Sequence, residues 1–252
     1  MLFDLRGNRR RLVQVVYSLL AASFLIGFVF LGIGTGGIGS VSDLFGGGDG
    51  GSTSSQFDSQ ISSAQAELQK DPKDTAALLK LAENEWFKAK SGVSQDPSTG
   101  QITGISDDAH TALGQSADAW AKYLKVNKGK PDSGVANEMT QVYVLLNDAP
   151  GAAKAQQIVA EDQPNQNTYG TLALYLYAGN DIAGGDAAAK KAVSLAPKST
   201  QKQVKQQLDQ TRAQAVKAKQ QQAKAQKKAQ QSTTPSGAPL QSPFGSLPNS
   251  GP

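Results

Sequence analysis

The 252-residue chain contains no cysteine, one histidine, two tryptophans and two methionines, and 6% of it is aromatic. Without cysteine it forms no disulfide, offers no thiolate nucleophile and builds no Cys-ligated zinc or iron–sulfur centre. A single histidine excludes multi-histidine metal sites and leaves His110 alone for imidazole catalysis. A Gly-x-Ser-x-Gly elbow, a P-loop and a metal-spaced carboxylate set are also missing. Asp107, Asp108 and His110 come nearest to a catalytic cluster, yet an aspartate at a helix start already has a capping role. No catalytic, cofactor-binding or metal-ligating residue is expected, and the chain reads as a binding protein rather than an enzyme.

Charge is unevenly spread. Arg6, Arg9, Arg10 and Arg11 stand against Asp4 at the N-terminus, residues 35–197 carry 12 basic and 19 acidic groups, and residues 198–252 carry nine basic groups against Asp209 alone. A mildly acidic body thus separates two basic ends.

Residues 1–11 form a short basic N-terminus, followed from Leu12 to Ile33 by 22 residues without a charge. A helix of that length spans roughly 33 Å, enough for a hydrocarbon core. The segment 12–34 is therefore expected to be a transmembrane helix. Arg9, Arg10 and Arg11 abut its start, and the first charge beyond it is Asp43. The positive-inside rule leaves the N-terminus cytoplasmic and the remainder extracytoplasmic. A cleaved signal peptide is the rival reading, but its apolar core is typically about 7–15 residues, and no clear Ala-x-Ala site follows. Residues 35–55 are too rich in Gly and Ser for stable helix or strand and read as a flexible linker.

From residue 56 the pattern turns helical. Phe57, Ile61, Ala64 and Leu68 form one stripe at spacings of three and four, which Asp71-Pro72 ends. Thr75 to Lys90 gives a second helix. Residues 91–106 read as a Gly/Pro-bearing loop, and Asp107 or Asp108 caps a helix to about Val126. No strand alternation stands out, so the expected class is all-α. Pro131, Pro164 and Pro197 then recur at 33-residue intervals, each between two helical segments. Pro72 lies 59 residues before Pro131, one interval lengthened by the 91–106 loop.

That register resembles the tetratricopeptide repeat (TPR), a unit of about 34 residues built from paired helices. The residues that carry the likeness are Tyr143 and Ala152 before Pro164, and Tyr169, Leu172, Ala173, Gly185 and Ala192 before Pro197. Leu78, Leu81, Ala82, Ala119, Tyr123 and Val126 supply an earlier unit. Gln156 and Ala189 depart from the pattern, where a larger apolar group is usual, and an irregular helical bundle is the alternative. The resemblance implies about three hairpins of an α-solenoid over residues 56–216, with a protein-binding groove lined by the first helix of each hairpin. Carried across that register, the groove residues are Glu83, Trp86, Phe87, Asn137, Gln141, Val144, Leu174 and Tyr177. Trp86 and Tyr177 fit a core between repeats equally well.

The N-terminal arrangement of a basic stretch, one apolar helix and Phe30-Leu31-Gly32-Ile33-Gly34 resembles PpiD/YfgM-type ancillary Sec translocon proteins. That resemblance implies Sec translocon subunits or exported chains as partners and a chaperone role. No room is left for a prolyl isomerase domain. Residues 217–252 read as a basic Lys/Gln/Ala-rich helix end followed by a disordered Pro/Ser tail. With no aromatics between the lysines this end reads foremost as a solvated spacer, and its expected place outside the cell leaves no nucleic acid as partner; an anionic wall polymer or lipid is the other candidate partner, giving an envelope scaffold.

Overall fold

The computed structural model describes residues 53–96 and 102–232. The apolar segment 12–34, most of the linker and the tail after residue 232 lie outside the described residues. Within them the chain folds as eight helices and one small hairpin: α1 (Thr53–Lys70), α2 (Thr75–Lys90), β1 (Val93–Gln95), β2 (Ile102–Ile105), α3 (Asp107–Val126), α4 (Ser133–Leu145), α5 (Ala149–Asp162), α6 (Gln166–Ala178), α7 (Ile182–Leu195) and α8 (Gln201–Ser232). Among the described residues no helix is long and apolar enough to cross a membrane.

Among the described residues the expected all-α class holds, apart from the hairpin. β1 and β2 pair antiparallel inside the stretch expected to be a loop, with Val93 opposite Ile105 and a register irregularity at Ser94/Gln95. The Ser106 N–H donates to the Gly92 carbonyl at 3.0 Å and closes its base. β-Branched Val93, Ile102, Thr103 and Ile105 favour extended backbone. Three or four residues per strand, however, are too few for alternation to be visible in sequence. The cap of α3 is likewise Ser106, whose hydroxyl accepts from the Ala109 N–H, while Asp107 and Asp108 sit in the first turn. Helix α1 begins at Thr53, three residues before the expected start of the helical body at residue 56.

Successive helices run antiparallel. Phe57 stacks on Phe87 and Asp58 pairs with Lys88 at one end of α1/α2, whereas Glu67 pairs with Lys80 farther along. The buried Ser116 hydroxyl of α3 donates to the Ala82 carbonyl of α2 and touches the Met139 sulfur of α4, pinning three helices together. Lys130 and Ser133 at the start of α4 both bond Asp162 at the end of α5. Hairpins α2/α3, α4/α5 and α6/α7 thereby stack in order, flanked by α1 and α8. Apolar burial divides between a cluster centred on Trp86, Trp120, Leu113 and Met139 and one centred on Leu172, Ala173, Tyr177 and Leu208.

The 33-residue interval is present in backbone detail. Asn147 and Asn180 hold left-handed φ of 58° and 66°, the next N–H reaches back five residues (Asp148 to the Tyr143 carbonyl, Asp181 to the Leu176 carbonyl), and both aspartates cap the following helix by accepting from Gly151 and Gly184 N–H. Each turn thus ends one helix with a Schellman arrangement and starts the next with the same aspartate. Tight turns of this kind put helix ends on two edges. One edge carries the start of α1, the end of α2, the hairpin and the turns at 146–148 and 179–181. The opposite edge carries the connections at 71–74, 127–132, 163–165 and 196–200.

Candidate interaction face

Helices α2 and α4 pack against one another across the stack, and their polar side chains gather on a shared face. Glu83 and Asp132 both act electrostatically on Glu138. Burial of the Glu138 carboxyl, reinforced by these two charges and opposed by Lys90, pushes its pKa up to about 7. Glu83 is raised in the same direction, first by its own burial and then by Asp132. Lys90 lies over the rings of Trp86 and Phe87, at 5.6 and 5.0 Å from their centres. Glu138 Oε2 and Gln141 Oε1 are buried acceptors with no hydrogen-bond partner among the described residues. A buried acceptor left unpaired costs about 1–3 kcal/mol, so an incoming N–H donor gains by reaching these atoms. Such a face accepts hydrogen bonds from amide or ammonium donors.

The eight groove positions separate by burial. Asn137 is exposed, and Glu83, Phe87, Gln141 and Val144 are partly exposed, so these five remain available at the surface. Trp86 is 2% exposed, Tyr177 2% and Leu174 9%. These three are core residues, and of the two roles open to Trp86 and Tyr177 the inter-helix one describes their position. The Tyr177 ring lies against Gly185 of α7, and its hydroxyl donates to Asp186 Oδ1 at 2.9 Å. Sequence reasoning missed Glu138, although it stands between Asn137 and Gln141 on the same turn. The raised carboxyl depends first on burial and then on Glu83 and Asp132, which the fold brings into play.

His110 is exposed on α3. No group of three or more His, Asp or Glu side chains is placed to hold a metal ion among the described residues. Gln156, an outlier in the repeat pattern, is buried and donates from Nε2 to the Thr168 carbonyl, joining α5 to α6 in place of an apolar contact. An open cleft of about 470 Å³ lies between α6, α7 and α8 and is lined by Tyr177, Asp186, Lys190, Lys205, Leu208 and Arg212. There Arg212 Nε donates to Asp186 Oδ1 at 2.6 Å and holds that carboxyl below the usual range.

No protein-family model, curated protein or solved structure matches the chain. The folded body is defined by its own geometry as a stack of antiparallel helical hairpins with one acidic, acceptor-rich face.

Proposed function

We propose that the chain is a membrane-anchored protein-interaction module: a TPR-like α-solenoid held on the extracytoplasmic face by residues 12–34, binding extended segments of other proteins along α2 and α4. The observation that carries this reading is the pair of unpaired buried acceptors, Glu138 Oε2 and Gln141 Oε1, on one face of stacked hairpins that repeat every 33 residues. Backbone N–H groups and basic side chains of a bound segment satisfy those acceptors, and the flanking Phe87 and Val144 cover apolar side chains. Exported chains beside the Sec channel are the partners that the N-terminal resemblance favours, in an ancillary chaperone role.

A photo-crosslinking residue placed at Asn137 or Gln141 in intact cells tests this. Capture of Sec subunits or exported proteins there, and not from Lys154 on the exposed side of α5, is the expected result. Equal capture from all three positions, or none, sinks the reading. A second reading, an envelope scaffold acting through its basic C-terminal part, is favoured by the lysine-rich end of α8, which carries no acid after Asp209.

A further inference from the structure

We propose that the projecting end of α8, residues 219–232, rests on the anionic headgroups of the same bilayer that anchors residues 12–34. This deepens the scaffold reading, commits it to lipid, and rests on the assignment of that segment as an anchor.

The geometry begins with how α8 is held. Val204, Leu208, Ala215 and Ala218 are buried against α6 and α7, Arg212 bonds Asp186, and Lys219 Nζ donates to the Asn180 carbonyl at 3.1 Å. Beyond Ala218 no described side chain is buried, yet the helix continues to Ser232. At about 1.5 Å per residue, that stretch projects roughly 21 Å past the last packed position. Asn180 belongs to the edge where α1 begins, so the helix leaves the body on the side from which the chain runs back toward residues 12–34.

Charge selects the partner. Lys217, Lys219, Lys224, Lys227 and Lys228 lie on this end of α8, and no acidic residue follows Asp209. Alanine and glutamine occupy most of the remaining positions, so no apolar stripe exists for hydrophobic docking. The acids of the same edge are engaged: Asp58 pairs with Lys88 at 2.8 Å, and Asp148 and Asp181 cap helices. Asp107 and Asp108 sit in the first turn of α3. At physiological salt their fields fade within about 8 Å, short of a tip some 21 Å out. A polyanionic surface is the partner that such a helix fits, and the bilayer is the one the chain cannot drift from. If the Gly/Ser-rich stretch 35–52 behaves as the tether its composition predicts, its root-mean-square span of roughly 23 Å matches the projection and lets the tip touch the surface.

The absence of cysteine makes the test direct, because a single introduced thiol is labelled without background. The full-length chain carrying Gln226→Cys with a fluorescent donor is reconstituted into vesicles holding a trace of acceptor-labelled lipid. One set is phosphatidylcholine, the other phosphatidylcholine mixed with phosphatidylglycerol. Energy transfer is expected to be higher on the phosphatidylglycerol vesicles, to fall to the neutral level in high salt, and to fall likewise in the Lys224→Gln/Lys227→Gln/Lys228→Gln variant. Glutamine propagates helix about as well as lysine, so helicity is retained. A donor at Ser199→Cys, on the opposite edge, should read the same on both vesicles. Flotation with neutral vesicles reports the anchor separately: a chain that floats but shows equal transfer on both lipids overturns the proposal alone. One that fails to float overturns the anchor and the proposal together. Retention on isolated cell wall through the same lysines, with equal transfer on both lipids, assigns the helix to wall polymer and also overturns it.

Discussion

At the scale of single residues, Glu138 is the most informative group. Its carboxyl titrates near 7 in the folded chain against about 4.5 for the free side chain. Between those values the folded state keeps a proton that the unfolded state releases, so its contribution to stability falls as pH rises from about 4.5 to 7. The partial exposure of the side chain reduces the effect to about 1 kcal/mol. Glu138→Gln is expected to raise stability by that amount at pH 8, to leave it unchanged at pH 4, and to weaken capture of basic segments. Urea unfolding across pH 4–8 checks the first two, and a variant with the wild-type pH slope refutes the assignment. Two glycines give a contrast of opposite sign. A Cβ at Gly185 would sit 2.4 Å from the Tyr177 ring, which is buried and tied through its hydroxyl to Asp186. Gly185→Ala should cost about 1–3 kcal/mol, since the overpacking outweighs the gain in helix propensity. At Gly114 nothing lies within 4 Å of an added Cβ, and Gly114→Ala in the middle of α3 should stabilise by about 0.5–1 kcal/mol. Thermal unfolding of the two variants reads both.

At the scale of elements, what the sequence reveals depends on the range of the interactions. Helices α2 and α3 match their sequence bounds at Thr75–Lys90 and at Val126, because their apolar periodicity and adjacent punctuation are local signals. The hairpin was illegible, since its closing hydrogen bond between Gly92 and Ser106 spans fourteen positions and its strands are too short for a pattern. The candidate face was reached in part through the repeat resemblance, whose register places Asn137 and Gln141 on it. Whether an aromatic faces out or in, as at Trp86 and Tyr177, is decided by neighbouring helices that spacing does not place. The two equivalent turns offer a test of the repeat at this scale. Asp148 and Asp181 each end one helix and cap the next, so Asp148→Ala and Asp181→Ala should each cost about 1 kcal/mol. Being 33 residues apart without shared partners, they should add within about 0.5 kcal/mol in the double variant. Strong non-additivity in chemical denaturation would show that the hairpins do not behave as successive units.

At the scale of the molecule, α8 divides into two parts with different duties, and the division is measurable. Its first half closes the stack: Val204 and Leu208 are buried, Gln201 Nε2 donates to the Ala196 carbonyl, and Arg212 bonds Asp186 across to α7. A solenoid ends where a helix covers the last apolar face with a polar outer side, and removing that helix exposes the face of the preceding hairpin. A chain stopped after residue 200 loses the burial of Val204 and Leu208. At about 1.5–3 kcal/mol for each large apolar side chain, the loss is about 3–6 kcal/mol. In a body of this size that lowers the Tm by roughly 10 °C or more. A chain stopped after residue 220 keeps every buried side chain described on α8 and should unfold within about 0.5 kcal/mol of the full length, as surface changes do. The same shorter chain lacks Lys224, Lys227 and Lys228, so it should lose the salt-sensitive response to phosphatidylglycerol while retaining the capture of protein partners from Asn137 and Gln141. Far-UV circular dichroism melts of the two truncations in detergent, beside vesicle energy transfer with the donor at Lys219→Cys, measure both halves of that expectation. Loss of thermal stability on removing residues 221–252 would mean that the projecting helix folds back onto the stack, and its assignment to the bilayer surface would fall with it.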